Sequence, residues 1–259
     1  KGGVGSIIVE AAVVLPSRSL YNLRISDDNF TEGLKELVGV IRKANPETKI
    51  GIQIMHFLKI ARSGWRQKVE DFKPEDLPVI VEQHVEAAKR AVTAGFDFIE
   101  IHMAHAFTLA SLLSRVNKRT DKYGGSFENR MRLPIEVYQA VRQELGDNFP
   151  LGIRINGEDF IVEGNTLLQS TRIARKFAEL GVDYISVSAG DRFEDAVPIP
   201  DTPPDPMSGY SGHRMSPWYW FPDGAHVYLA EAVRNYVRDG GFDVPIVIAG
   251  KIRTPQLAE

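Results

Sequence analysis

The chain has 259 residues, 43% of them hydrophobic and 25% charged, which are the proportions of an ordinary globular protein and suit one large domain over residues 1–259. A formal net charge of −3 gives no electrostatic reason to expect nucleic acid or an anionic membrane as partner, and the absence of cysteine excludes disulfides, thiolate metal ligands and a cysteine nucleophile within the chain. No apolar run reaches the roughly 18 residues that a membrane span needs, and the amino end has no signal-peptide character, so the expectation is a cytoplasmic protein acting on a small molecule, with homo-oligomerisation left open.

In chain order, short β-branched runs predict strands near residues 6–10, 49–55, 98–102, 151–155, 184–188 and 246–249. Between them, helical periodicity predicts helices near residues 28–43, 79–94, 128–145, 166–180 and 225–237. Gly95, Gly146 and Gly181 follow three of these helices, as a left-handed C-terminal cap requires. Strand and helix alternate throughout, which implies βα units and a parallel sheet. An α/β TIM barrel and a doubly wound sheet share that alternation, but no Gly-x-Gly-x-x-Gly turn follows any strand, so the dinucleotide-binding sheet loses its best sequence support. The expected fold is therefore a (β/α)8 barrel with its first and last strand units outside the chain.

Most predicted strands read as continuous apolar runs, as sheets covered on both faces do. Glu10, Gln53, His102 and Arg154 are polar exceptions at or near strand carboxyl ends, where a barrel keeps its chemistry. Two connections, residues 57–78 and 190–222, are longer than compact α/β units normally use and follow strand carboxyl ends, which points to a role over the active-site mouth. The first carries Lys59, Arg62 and Arg66, a basic set able to meet a phosphate or carboxylate, or to stay solvated. The second carries Tyr210, Trp218, Tyr219 and Trp220, an aromatic set suited to a substrate wall or a simple cover.

The densest chemistry lies in Glu100-Ile101-His102-Met103-Ala104-His105 and the run Asn117-Lys118-Arg119-Thr120-Asp121-Lys122-Tyr123-Gly124-Gly125-Ser126-Phe127-Glu128-Asn129-Arg130. Two imidazoles three residues apart, where a strand gives way to a loop, can converge on one ligand oxygen; they can also hold a metal or form a hydrogen-bonded core pair.

With that run, the sequence resembles the Old Yellow Enzyme family of FMN-dependent oxidoreductases. Further matching segments are Gly5 to Glu10, Gly51 to His56, Gly152-Ile153-Arg154 and Ile248 to Thr254, so the resemblance covers nearly the whole chain. The loop that begins His56-Phe57-Leu58-Lys59 is similar to the branch that includes dienoyl-CoA and aromatic acyl-CoA reductases. The resemblance implies FMN as cofactor, NADH or NADPH as electron donor and an unsaturated small molecule as hydride acceptor. It makes Gln53 the partner of the flavin pyrimidine edge, Arg154 the cation beside flavin N1 and O2, and Gly250 part of the phosphate loop, with Lys251 and Arg253 nearby. His102 and His105 would hold the substrate oxygen, drawing density from the carbon that accepts hydride. One position departs from the family pattern: Phe107 stands where a proton-donating tyrosine is usual, so the acid would be water or a tyrosine such as Tyr210 or Tyr219. A metal-dependent barrel hydrolase and a non-catalytic ligand-binding barrel remain as alternatives.

Overall fold

The computed structural model describes residues 3–16, 22–61, 65–197, 202 and 205–258. The strands are β1 (Ser6–Val13), β2 (Lys49–Met55), β3 (Phe98–Met103), β4 (Leu151–Asn156), β5 (Tyr184–Ser188) and β6 (Ile246–Ile248). The α-helices are α1 (Thr31–Ala44), α2 (Asp76–Ala94), α3 (Thr108–Leu113), α4 (Phe127–Leu145), α5 (Leu167–Glu179), α6 (Gly209–Met215), α7 (Val227–Asp239) and α8 (Pro255–Ala258). The six strands follow one another in the sheet as β1-β2-β3-β4-β5-β6. A doubly wound sheet reverses its strand order at a switch point, and this succession has no reversal; it is the succession of a β/α barrel.

Contacts divide the chain into two compact units. The first comprises Lys1–Phe57, Phe72–His102 and Leu133–Gly152. Here β2 pairs in parallel with β1 and with β3, and every residue of β2 after Lys49 is buried. Helix α2 buries Leu77, Ile80, His84, Ala87, Ala88, Ala91 and Ala94, the recurrence of one helical face, and closes on Gly95, whose φ of +88° suits glycine. Gly51 lets the Phe98 ring lie on the strand: a Cβ there would come within 2.2 Å of it. Asp97 accepts from the Arg42 guanidinium at 2.9 Å and from the Ile50 N–H at 2.8 Å, which ties α1 to the strands.

β1 runs past the expected end to Val13, because Ala12 and Val13 continue the buried set beyond a shift in register between Val9 and Ala12. Glu10 falls inside that irregularity and is exposed, so it stands within a strand rather than at a strand end.

The second unit comprises Leu58–Asp71, Met103–Arg132 and Ile153–Glu259. β5 pairs in parallel with β6, and α5 and α7 bury Ile173, Ala174 and Phe177 and Leu229, Val233 and Val237. Helix α3, unanticipated from periodicity, is buried along its whole length and so shows no polar face to reveal it. The long connection after β5 contains α6. Gly190 has a φ of +75°, and a Cβ there would meet Ser211 O at 2.3 Å, so the chain passes closely over α6 as it leaves the strand.

Candidate active site

Gln53, in β2, is buried and donates its amide Nε2 to Glu100 Oε1 at 2.5 Å, a strand-to-strand bond between two polar side chains in an apolar sheet. His102, in β3, and His56, just after β2, are also buried; the His56 ring is 6.5 Å from that of His84, a buried histidine of α2. These residues belong to the first unit.

In the second unit, His105 and Arg154 meet on a residue that the sequence did not single out. Ser188, the last residue of β5, accepts from Arg154 Nη2 at 3.0 Å, and its hydroxyl lies 2.7 Å from His105 Nε2. A guanidinium from β4 and an imidazole from the loop after β3 therefore share one hydroxyl at a strand carboxyl end. His105 and Ala106 both have left-handed backbones, with φ of +59° and +53°, a conformation that costs non-glycine residues energy and persists only where neighbours enforce it. The enforcing contacts are visible. Asn156 Oδ1 accepts the His105 N–H at 3.2 Å, and His105 forms a parallel bridge with Asp191. The Ala106 carbonyl accepts from Arg66 at 3.0 Å and from Ser111 Oγ at 3.2 Å.

Behind Asn156 lie two buried carboxyl groups. Asn156 Nδ2 donates to Asp159 at 3.0 Å and to Asp191 at 2.8 Å. Asp159 also accepts from Ser114 Oγ at 2.8 Å and the Asn165 N–H at 2.7 Å. Burial raises the Asp159 carboxyl above its usual range against those hydrogen bonds. Asp191 is raised well above, by burial first and then by the charges of Asp159 and Glu194. A pair of buried carboxyl groups so close to His105 carried no signal in the sequence, since residues 159 and 191 are joined only by the fold.

The signature run after the histidines is mostly engaged in its own loop. Asn117 Nδ2 donates to the carbonyls of Leu112 and Tyr123 at 2.9 and 2.8 Å, Arg119 pairs with Asp121 and donates to Val69 O, and Arg130 donates to Leu113 O and Gly125 O. Gly124 admits no side chain, since a Cβ would lie 2.4 Å from Arg119 O. These residues build the loop.

Gly250 follows β6 with a φ of +129°, and a Cβ there would lie 2.4 Å from His226 Nδ1, so the loop lies flat on that buried ring. Lys251 is engaged through its ammonium with Trp218 O and Tyr219 O, both at 3.0 Å, and Arg253 pairs with Asp223. Both cations hold the aromatic stretch. Trp218, Tyr219 and Trp220 are exposed and pack, mostly edge to face, among themselves and with His213. Arg66 forms an ion pair with Glu194 at 2.6 Å, and Arg62 lies outside the described residues. Among the described residues there is no group of three or more His, Cys, Asp or Glu placed to hold a metal ion, and no helix long and apolar enough to cross a membrane.

Solved structures share this fold. A complex of 2-naphthoyl-CoA reductase with 2-naphthoyl-CoA matches with a TM-score of 0.76 and 24% identity, over 99% of this chain and 40% of that one. Morphinone reductase bound to tetrahydroNAD matches with a TM-score of 0.68 and 23% identity, over 96% of this chain and 68% of that one. By sequence, an NADH oxidase of Thermoanaerobacter brockii is 32% identical over 280 aligned positions, which take in 100% of this chain and 39% of that protein. An NADPH dehydrogenase of Geobacillus thermodenitrificans is 38% identical over 205 positions, 73% of this chain and 59% of that protein. The chain thus spans only part of the length of these curated relatives. Residues 1–216 match the family described as NADH:flavin oxidoreductase / NADH oxidase. That match, the barrel succession of strands and the signature run folded around its own loop lead to one conclusion: the chain belongs to the NADH:flavin oxidoreductase / NADH oxidase family, the Old Yellow Enzyme family.

Proposed function

We propose that the chain is the flavin-binding barrel of an oxidoreductase that takes hydride from NADH or NADPH and delivers it, through FMN, to the activated C=C bond of an unsaturated carbonyl compound or acyl thioester. The observation that carries this reading is the Arg154–Ser188–His105 cluster at a strand carboxyl end, within a chain of this family. When bound, FMN supplies the hydride-accepting and hydride-donating ring; the protein supplies orientation and electrostatics.

The residues present suit such a group. Gln53 gives one amide nitrogen to Glu100, and its amide carries both donor and acceptor chemistry for an imide-like ring edge. Arg154, held by Ser188, brings a fixed positive charge of the kind that favours an anionic reduced flavin. Gly250 is assigned to the phosphate loop, where backbone N–H groups can approach an anion; its missing Cβ is what lets that loop lie on the His226 ring. His102 and His105 are assigned to the substrate oxygen, where losing one such donor costs about 2.7–4 kcal/mol in a well-studied oxyanion site. Phe107 cannot deliver a proton, and Tyr210 and Tyr219, 62% and 84% exposed, sit in a water-accessible stretch, so the proton comes from water or from one of these phenols. The thioester in the reductase complex of the same fold supports including acyl thioesters among the substrates.

The test is visible spectroscopy of the intact protein supplied with FMN. A flavin band that NADH or NADPH bleaches, and that an unsaturated ketone or thioester restores, is the expected result; an intact protein that takes up no flavin overturns the reading. Replacing both His102 and His105 with alanine should slow reoxidation by substrate at least about 100-fold while slowing flavin reduction far less. Equal loss in both halves of the cycle would remove the histidines from the substrate oxygen.

A further inference from the structure

Arg192 is half-buried in the second unit, one residue after the Asp191 that bridges to His105. Its guanidinium carbon lies 5.0 Å from the ring centroid of Phe107 and 5.1 Å from that of Phe193. Among the described residues no hydrogen bond or ion pair reaches its nitrogens. A guanidinium withdrawn from water is normally matched by a carboxylate. The acids beside it are committed elsewhere. Glu194 pairs with Arg66 at 2.6 Å, and Asp191 takes its hydrogen bond from Asn156. Burial lowers the Arg192 pKa, and the like charge of Arg66 lowers it further; no acid offsets either effect. Arg66 thus has Glu194 as its ion-pair partner while Arg192 has none, which leaves the Arg192 charge unmatched.

We propose that Arg192 is the anion-recognition residue of the substrate site and that the substrate carries a carboxylate. This rests on the oxidoreductase reading above and narrows its substrate class. Aromatic rings attract a guanidinium through its face, which leaves its in-plane N–H groups directed outward as a fork. That fork matches the two oxygens of a carboxylate. Phe107 then has a role that needs no hydroxyl: it is the aromatic platform of the cation, two residues beyond His105. A substrate held by its oxygen at His105 and by its carboxylate at Arg192, both in the second unit, would be fixed at two points, which orients the carbon that accepts hydride.

The experiment compares β-acetylacrylate with its methyl ester as acceptors for the intact, FMN-loaded protein, and Arg192→Gln with Arg192→Lys. The acid should be preferred over the ester, and Arg192→Gln should reduce that preference by about 10- to 100-fold, chiefly through KM for the acid, with Arg192→Lys retaining part of it. An unchanged acid-to-ester ratio in Arg192→Gln overturns the proposal and leaves Arg192 a stacked structural residue. A second arm needs no turnover: the melting temperature of the flavin-free protein is followed with benzoate, benzamide and inorganic phosphate. Stabilisation by benzoate alone, lost in Arg192→Gln, supports the carboxylate site; stabilisation by phosphate in place of benzoate, or by benzamide equally, overturns it. Flavin bleaching reports separately on the oxidoreductase reading, so failure of that reading and failure of Arg192 give different results.

Discussion

Asn156 connects three groups: its nitrogen holds Asp159 and Asp191, and its oxygen accepts from the backbone of His105, which is in a left-handed conformation. Removing the buried amide takes a hydrogen bond from each partner, and an unsatisfied buried polar group costs about 1–3 kcal/mol. Asn156→Ala should therefore lower stability by about 2–4 kcal/mol, read from urea unfolding. Asn156→Asp should be worse, since it places a third carboxyl beside two that already resist ionisation. A loss below about 1 kcal/mol would mean that the His105 loop is held by its other contacts. At this scale the sequence was only partly legible. His105 and Arg154 stand in motifs that announce themselves. Ser188 and Asn156 do not, because a serine or an asparagine ending a strand looks like any other until three strands bring their ends to one place. Arg192 is similar, since its lack of a partner is a property of the folded neighbourhood.

At the scale of elements, β2 and β3 show how closely parallel strands pack when one position is glycine. Gly51 has an ordinary backbone, and a Cβ would meet three atoms of the Phe98 ring at 2.2 to 2.6 Å. The cost of a side chain is therefore overpacking rather than backbone strain. Gly51→Ala should destabilise by about 1–3 kcal/mol, and the double variant with Phe98→Ala should lose less than the sum of the two single changes, because Phe98→Ala removes the ring with which the new Cβ collides. Strict additivity in thermal or urea unfolding would show that the ring already has room to move. The strands were readable because their β-branched runs are compact, and β2 and β5 have the expected bounds. β1 ran further because a bulge hid the continuing apolar residues behind Glu10. α3 and α6 were not anticipated. The first is buried on all sides, and the second is seven residues inside a long connection whose proline and glycine content reads as irregular.

Across the whole molecule, the buried ionisable groups pull stability in opposite directions as pH changes. His84 is fully buried on α2, with Nδ1 2.7 Å from Ile80 O, and desolvation lowers its pKa from 6.5 to about 4. The unfolded chain binds the proton more readily, so this contribution is complete above about pH 6.5 and is lost as pH falls towards about 4. Asp159 and Asp191 act in reverse: their folded pKa values are raised, so the folded state holds protons that the unfolded chain releases, and their contribution weakens as pH rises through the folded values. The total therefore understates His84, and only a difference isolates it. His84→Gln keeps a donor for Ile80 O and removes the titration. Between about pH 7.5 and about pH 5, the wild type should lose about 2 kcal/mol more than this variant in urea unfolding, given a shift of that size. Equal pH dependence in the two proteins would mean that water reaches the imidazole in the folded state, and the packing of α2 against β2 would have to be looser than its buried face implies.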